Sequence, residues 1–536
     1  MVKANQTSRE KTVNSDVEKT SQVESKTASN QTSNQVSEAE QIRIRKQKRQ
    51  KLIDLGLQAY PLDLKATDSI DSIRQKYYYL KTDEQTNEVV SMIGRVMFLR
   101  GAGKLSFVAL QDGRGNRLQA MFSLAEIGEQ TMKYFRELVD IGDHLWVKGE
   151  VISSKTGELS VLVSSWKMAS KALRPLPVLH KNLSDDLKAR QRYLDFLINS
   201  KARDVVIHRS EIIAALRQSL IQDDFMEIET PMLQTLHGGA AARPFITKMN
   251  AFDIDLYLRI APELFLKRAV VGGFDRVFEI NRNFRNEGMD SSHLPEFSML
   301  ELYQSYSDYK DIAKLTQKLI QTVCQSVFAS QSIILPNGEM YDFSGNWDEI
   351  SLYESLSKAL GESITPATPK DRLITIAKTK LEPSAKKQLN DTKEIKKLIS
   401  GKLVELLWEQ LVCPSLVRPT FVYDFPADNS PLVSSHRTKS GLVEKWDLYI
   451  RGFELATGYS ELVDPVIQKQ RFEAQVKLAK QGDDEAMKMD NDFIEALEYG
   501  MPPTAGMGMG IDRLVMAFTG LGLRDTIAFP LVKPVN

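Results

Sequence analysis

Between Glu88 and Trp166 the hydropathy of the chain alternates with a period of two, and this restricts the segment to half-buried strands joined by turns. Leu118, Ala120 and Phe122 share an apolar face while Arg117, Gln119 and Met121 point away, and Leu105, Phe107 and Ala109 share one face of the strand before. Asp112-Gly113 and Gly115-Asn116 supply the turn between them. A helical stretch, Gln130 to Val139, then interrupts the strands before alternation resumes at Leu145, Val147 and at Leu159, Val161, Val163.

Five strands with a helix between the third and fourth is the order of an OB-fold barrel, a scaffold suited to single-stranded nucleic acid, although other small β-barrels share the alternation. We bound this domain at residues 88–172. Residues 1–40 contain no Leu, no aromatic and, before Gln41, no Ile, so they lack the means to form a core and read as a disordered polar tail. Residues 41–87 open with QIRIRKQKRQK, a helix with one cationic face that either meets solvent or touches RNA phosphate. Arg174-Pro175-Leu176-Pro177 stiffens a linker over 173–182. Residues 183–536 mix helices and strands, with a weakly patterned insertion at about 331–418, which makes the whole chain α+β. Within this part Ile212, Ile213, Leu216 and Leu220 have helical spacing, Phe225 to Glu229 reads as a strand, and Val271–Asn283 and Glu296–Tyr303 read as neighbouring strands around a polar loop.

Lys plus Arg and Asp plus Glu each total 70, so a polycationic nucleic-acid coat is excluded and any RNA contact must be local. Two cysteines, Cys324 and Cys413, are too few for a disulfide framework and suit a reducing cytosol. No apolar run has the roughly 18 residues a membrane span requires, and no signal-peptide core stands at the start, so a cytoplasmic location is expected.

Two segments point to chemistry. Phe284-Arg285-Asn286-Glu287, His293-Leu294-Pro295-Glu296-Phe297 and Glu301-Leu302-Tyr303 place an arginine fork near an aromatic ring, a means of holding a nucleotide that a surface Arg–Glu pair beside a core Phe would equally explain. In Gly506-Met507-Gly508-Met509-Gly510-Ile511-Asp512-Arg513, alternate glycines leave one strand face without side chains, either for a flat ligand or for close packing.

Together with Phe225-Met226-Glu227-Ile228-Glu229-Thr230-Pro231, these segments resemble the three ordered motifs of class II aminoacyl-tRNA synthetases. Gly238-Gly239-Ala240-Ala241-Ala242-Arg243-Pro244-Phe245 and Ile260-Ala261-Pro262-Glu263-Leu264 are similar to the lysyl enzymes in particular, and the resemblance runs from about residue 45 to the end. It implies an antiparallel catalytic sheet flanked by helices, lysine activation by ATP, and lysyl transfer to tRNA(Lys) by a homodimer joined through the first motif, without a membrane. It implies that Arg285 holds the α-phosphate and the lysine carboxylate, that Phe297 and Arg513 sandwich adenine, and that Glu287 and His293 complete the ATP site. Glu263 would pair the lysine α-ammonium, with Glu301, Tyr303 and Glu461 around the ε-ammonium and Thr457 beside the substrate. Asp447 and Glu454 would hold Mg2+, and Arg100, Phe107, Gln119 and Glu158 would read the anticodon.

Ser292, Thr457 and Asp447 depart from the family's commoner Arg, Asn and Glu, and with Ala456 and Tyr459 they read as subgroup variation. Lysyl transfer to a membrane lipid, a decayed RNA-binding scaffold and lysylation of a protein are the competing readings. An acidic pocket separates lysine from the sister specificities for aspartate and asparagine, since an aspartate pocket would need a cation where this chain has acids.

Overall fold

A computed structural model describes residues 37–177, 183–290, 293–381, 398–480 and 486–534. It divides into two compact units at Leu183/Ser184.

In the first unit, β1 (Gln85–Ala102), β2 (Leu105–Gln111), β3 (Arg117–Ser123), β4 (His144–Ser153) and β5 (Leu159–Ser170) close into a barrel in the order β1-β2-β3-β5-β4. The helix Glu129–Leu138 lies between β3 and β4 in sequence, as the OB-fold order requires, and Met132, Phe135 and Leu138 bury its apolar face. Leu118, Ala120 and Phe122 fill the barrel, as alternation indicates. On β2 the interior residues are Ser106, Val108 and Leu110, so Leu105, Phe107 and Ala109 share the outer, half-buried face. Both faces of β2 are largely apolar, and hydropathy alone therefore cannot tell inside from outside.

The basic helix runs Glu38–Asp54, opening three residues before Gln41 because Ser37 caps it by accepting from the Glu40 backbone N–H. Residues 1–36 of the expected tail, and 178–182 of the expected linker, lie outside the described residues. Much of the helix's positive charge is consumed by its own unit. Arg45 is buried and donates to the Ile141 and Ala172 carbonyls, Lys48 pairs with Asp140, and Lys51 pairs with Glu137.

In the second unit the strands are β6 (Met226–Glu227), β7 (Leu233–Gln234), β8 (Ile246–Met249), β9 (Ile254–Leu258), β10 (Arg276–Phe284), β11 (Glu296–Ser305), β12 (Ser332–Ile334), β13 (Met340–Asp342), β14 (Asp348–Ser351), β15 (Thr420–Pro426), β16 (Leu442–Ile450), β17 (Phe453–Ser460) and β18 (Thr504–Gly510). Eight of them form one sheet, β14-β15-β16-β17-β18-β11-β10-β6. Its interior pairings are antiparallel, whereas the edge strands β14 and β6 pair in parallel. Residues 271–275, read from sequence as the start of a strand, instead end the helix Glu263–Val271 and turn at Gly272-Gly273. The weakly patterned stretch 331–418 supplies β12, β13 and the edge strand β14, and its helices Leu352–Leu360, Lys370–Lys380 and Ser400–Leu411 bury Leu356, Leu403, Leu407 and Trp408 against β15 and β16 residues Val422, Phe425, Val443 and Tyr449. The other face of the sheet's central strands packs on the helices Ser200–Gln222, Tyr309–Phe328 and Ile511–Thr519 through Ile212, Leu216, Ile320, Leu514 and Phe518.

Candidate active site

Register explains how residues far apart in sequence come to share one face. Antiparallel pairing aligns Asp447, Thr457, Gly508, Glu301 and Glu279 in one row, and Lys445, Tyr459, Gly506, Tyr303 and Val277 in the row two residues along, so both rows present the same side. Met507 and Met509 project from β18 into the core behind it. The glycines of β18 therefore form a floor with no side chains. A Cβ at Gly506 would stand 2.5 Å from both Glu461 Oε1 and Tyr303 Cε1, and one at Gly508 would stand 3.0 Å from Met299 Cε.

Beside that floor lie the acids. Glu301 is buried and its side-chain hydrogen bond among the described residues is a long one, from the Tyr303 hydroxyl at 3.5 Å. Burial pushes its carboxyl well above the usual range, Glu263 adds to this and Arg285 opposes it. Glu263 opens the helix Glu263–Val271, and Glu461 follows β17, its backbone N–H donating to the Thr504 carbonyl. Both acids meet Lys267, whose ammonium donates to Glu263 Oε1 at 2.7 Å and pairs still more closely with Glu461 Oε2. Burial raises the Glu461 carboxyl while the Lys267 ammonium opposes the rise. Lys267 escaped the sequence reading because a Lys four residues after a Glu on a helix reads as an ordinary solvated pair.

Arg285 follows β10, and its backbone N–H donates to the Pro295 carbonyl. Its guanidinium lies 5.1 Å from the centre of the Phe297 ring, and its Nε is buried without a hydrogen-bond partner among the described residues. Burial lowers its pKa, opposed by the nearby Glu287, Glu301 and Glu454. Glu287 accepts from the Arg243 backbone N–H at 3.3 Å, and His293 pairs with Asp290. Arg513 donates to the Glu454 carbonyl at 2.6 Å and lies 3.5 Å from His293 Nε2. The neighbouring Asp512 fixes this corner, accepting from the Ser298 backbone N–H and pairing with Arg209. Arg285 and Phe297 thus form one contact pair and Arg513, His293 and the Glu454 backbone another, and the charges of Glu454 and Arg513 act on Arg285. Ser292 lies outside the described residues.

Asp447 and Glu454 flank the β16–β17 turn at Arg451-Gly452. Asp447 Oδ2 is 3.2 Å from Lys445 Nζ, while Oδ1 is buried with no hydrogen-bond partner among the described residues. Burial pushes the Asp447 carboxyl up to about 6, opposed by Lys445 and reinforced by Glu454. An orphaned buried carboxylate oxygen next to a second acid suits a hard divalent cation. No group of three or more His, Cys, Asp or Glu side chains among the described residues is arranged to hold a metal, so this pair could supply only part of a coordination shell. Thr457, opposite Asp447 in the register, donates to the Trp446 carbonyl at 3.4 Å.

On the outer face of the barrel Arg100 stands opposite Phe107, its guanidinium 5.6 Å from the ring centre. Gln119 is on the next strand and donates to Ser160 Oγ, and Glu158 is exposed just before β5. Of these four, Arg100 and Glu158 are exposed and Phe107 and Gln119 half-buried, on β1, β2, β3 and just before β5.

Residues 184–533 match the family model of class II tRNA synthetases for D, K and N, and residues 90–169 match that of the OB-fold nucleic-acid-binding domain. A lysine–tRNA ligase of Kineococcus radiotolerans is 56% identical over 92% of this chain and 97% of its own length. One from Mycolicibacterium gilvum is 53% identical over the same shares. A lysylphosphatidylglycerol biosynthesis bifunctional protein of Mycobacterium avium is 41% identical over 92% of this chain, which covers 41% of that larger protein. Among the described residues no helix is long and apolar enough to cross a membrane. With its glycine-floored acidic cleft, its arginine and ring at the adjoining corner and its nucleic-acid-binding barrel, the chain belongs to the class II tRNA synthetases, among the lysine–tRNA ligases.

Proposed function

We propose that this chain ligates lysine to tRNA(Lys), with the cleft over β18 as its active site. The observation that carries this reading is the buried Glu301 beside the Gly506–Gly508 floor, an acid with no ion pair among the described residues, placed to receive an amine. Glu301, Tyr303 and Glu461 receive the ε-ammonium, Glu263 receives the α-ammonium and Thr457 stands beside the substrate. Arg285 neutralises the lysine carboxylate and the α-phosphate of ATP. Phe297 and Arg513 line the adenine site, with Glu287 and His293 at its edge.

The lysine carboxylate oxygen attacks the α-phosphorus, the bond to the bridging oxygen breaks, and pyrophosphate departs with the electron pair. The terminal ribose hydroxyl of tRNA then attacks the lysyl carbonyl, and AMP leaves. Neither step calls for a strong base; each depends on alignment and on fixed positive charge at the oxygens, which Arg285 supplies. Asp447 and Glu454 would hold Mg2+, which when bound with ATP neutralises triphosphate oxygens.

The barrel tract of Arg100, Phe107, Gln119 and Glu158 suits unstacked anticodon bases, offering a ring, a guanidinium and hydrogen-bonding groups. A homodimer is supported by exposed apolar residues around the first motif, among them Met226, Met232, Leu233, Ile246 and Phe252. A cytoplasmic enzyme fits the two free cysteines, both buried. ATP–pyrophosphate exchange across all twenty amino acids tests the reading. Lysine should drive exchange best, and exchange driven best by aspartate or asparagine would overturn it.

A further inference from the structure

Lys267 is a lysine with no exposed side chain, on a helix that borders the proposed substrate pocket. Its ammonium joins Glu263 and Glu461, so two of the three pocket acids already hold a protein amine. The third, Glu301, has no ion pair among the described residues. Around this cluster stand Tyr459 from β17, its ring centre 5.7 Å from Lys267 Nζ, and Tyr303 from β11, against the position a Gly506 Cβ would occupy.

Formal charges then balance in a particular way. In their ionised forms Glu263, Glu301 and Glu461 would bring three negative charges against two positive ones from Lys267 and Arg285, leaving one negative; Glu279 and Arg259, which also act on Glu301, pair with each other and cancel. Lysine, with two ammonium groups and one carboxylate, brings one net positive charge. We propose that Lys267 is a specificity-determining residue, the fixed counter-ion that pairs with both Glu263 and Glu461 and sets the pocket's deficit at the one charge a lysine substrate supplies. This rests on the pocket assignment above. Without Lys267 the pocket would lack two positive charges, and burial would drive Glu461 still further toward its neutral form, which cannot form an ion pair with an ammonium. Lys267 itself stays protonated, because Glu263 and Glu461 outweigh the effect of burial.

Lys267→Gln keeps a donor of similar length and removes the charge. In the full-length enzyme, lysine-dependent ATP–pyrophosphate exchange is followed from pH 6.5 to 9.5. At pH 7 kcat/KM for lysine should fall at least tenfold while the KM for ATP stays within twofold, and the deficit should shrink as pH rises and Glu461 ionises unaided. A deficit of the same factor at every pH would assign Lys267 to packing and overturn the proposal, as would no deficit. If K267Q does not fold, lysine binding to the wild-type enzyme decides. Calorimetry at pH 9 in buffers of different ionisation enthalpy, corrected for the protonation of free lysine, should show no more than one proton released per site, since the Glu461 carboxyl, raised to about 8, is ionised there beside Lys267 and only Glu301 of the three acids has no ion pair among the described residues; release near two would overturn the proposal. Lysine-independent exchange in the wild-type enzyme would instead remove the pocket assignment, and this proposal with it.

Discussion

Gly506→Ala tests the glycine floor most directly. The added methyl would sit 2.5 Å from Glu461 Oε1 and 2.5 and 2.6 Å from two carbons of the Tyr303 ring. Carbon contacts settle at about 3.5–4.0 Å, so the neighbours must retreat by about 1 Å. Neither has room, since Tyr303 is 3% exposed, Glu461 is 2% exposed, and Lys267 grips the far oxygen of Glu461. Overpacking of this kind costs about 1–3 kcal/mol of stability, and a displacement of about 1 Å at a reacting site costs about 10²-fold in rate. G506A should therefore lower kcat/KM for lysine by about 10²-fold in pyrophosphate exchange, with the KM for ATP close to wild type. Gly508→Ala is the control, because its methyl would meet only the flexible end of Met299 at 3.0 Å and Glu301 Cγ at 3.7 Å. Its loss should stay below about tenfold, or about 1.4 kcal/mol. A G506A enzyme within threefold of wild type, or a G508A enzyme equally damaged, would refute the packing argument.

Glu461→Gln should raise the KM for lysine at least tenfold with little effect on ATP, at a stability cost approaching the about 3–5 kcal/mol of a broken buried pair; an unchanged lysine KM in steady-state exchange would remove Glu461 from the pocket. Arg100→Ala removes the guanidinium over Phe107 and should weaken tRNA charging while sparing pyrophosphate exchange, so equal losses in both assays would count against the anticodon role. In the barrel, burial, aided by Arg95, lowers the His144 pKa to about 4. The unfolded chain therefore takes up a proton first as pH falls, so His144 costs no stability above about pH 6.5 and an increasing amount down to about pH 4. His144→Gln should flatten that acid limb in melting curves, and an unaltered limb would show that His144 is not responsible.

The barrel was legible because its strands keep a period of two and its helix falls where the OB order needs it. The β18 floor was legible for the same reason, since glycine and methionine alternate and only one face can be the core. What sequence could not supply was contact between distant elements. Glu263 and Lys267 lie four residues apart and look self-sufficient, and only the sheet brings Glu461 from the other side of the domain onto the same ammonium. The basic helix misled in the opposite sense, because Arg45 and Lys48 read as free charge until Ile141, Ala172 and Asp140 come to meet them. The edge strand β14 was hidden because four residues, Asp348–Ser351, are too short to show any period, and parallel pairing with β15 leaves no turn signal between them.

On β18, Met507 and Met509 point one way and Gly506, Gly508 and Gly510 the other, so a single backbone serves as both wall and threshold. A lesion behind it, such as a smaller residue at Met509, would let the strand sink and would be felt by the amino acid in front. Heat-sensitive variants mapped to those methionines should consequently surface first as enzymes that starve at low lysine, before they surface as enzymes that melt.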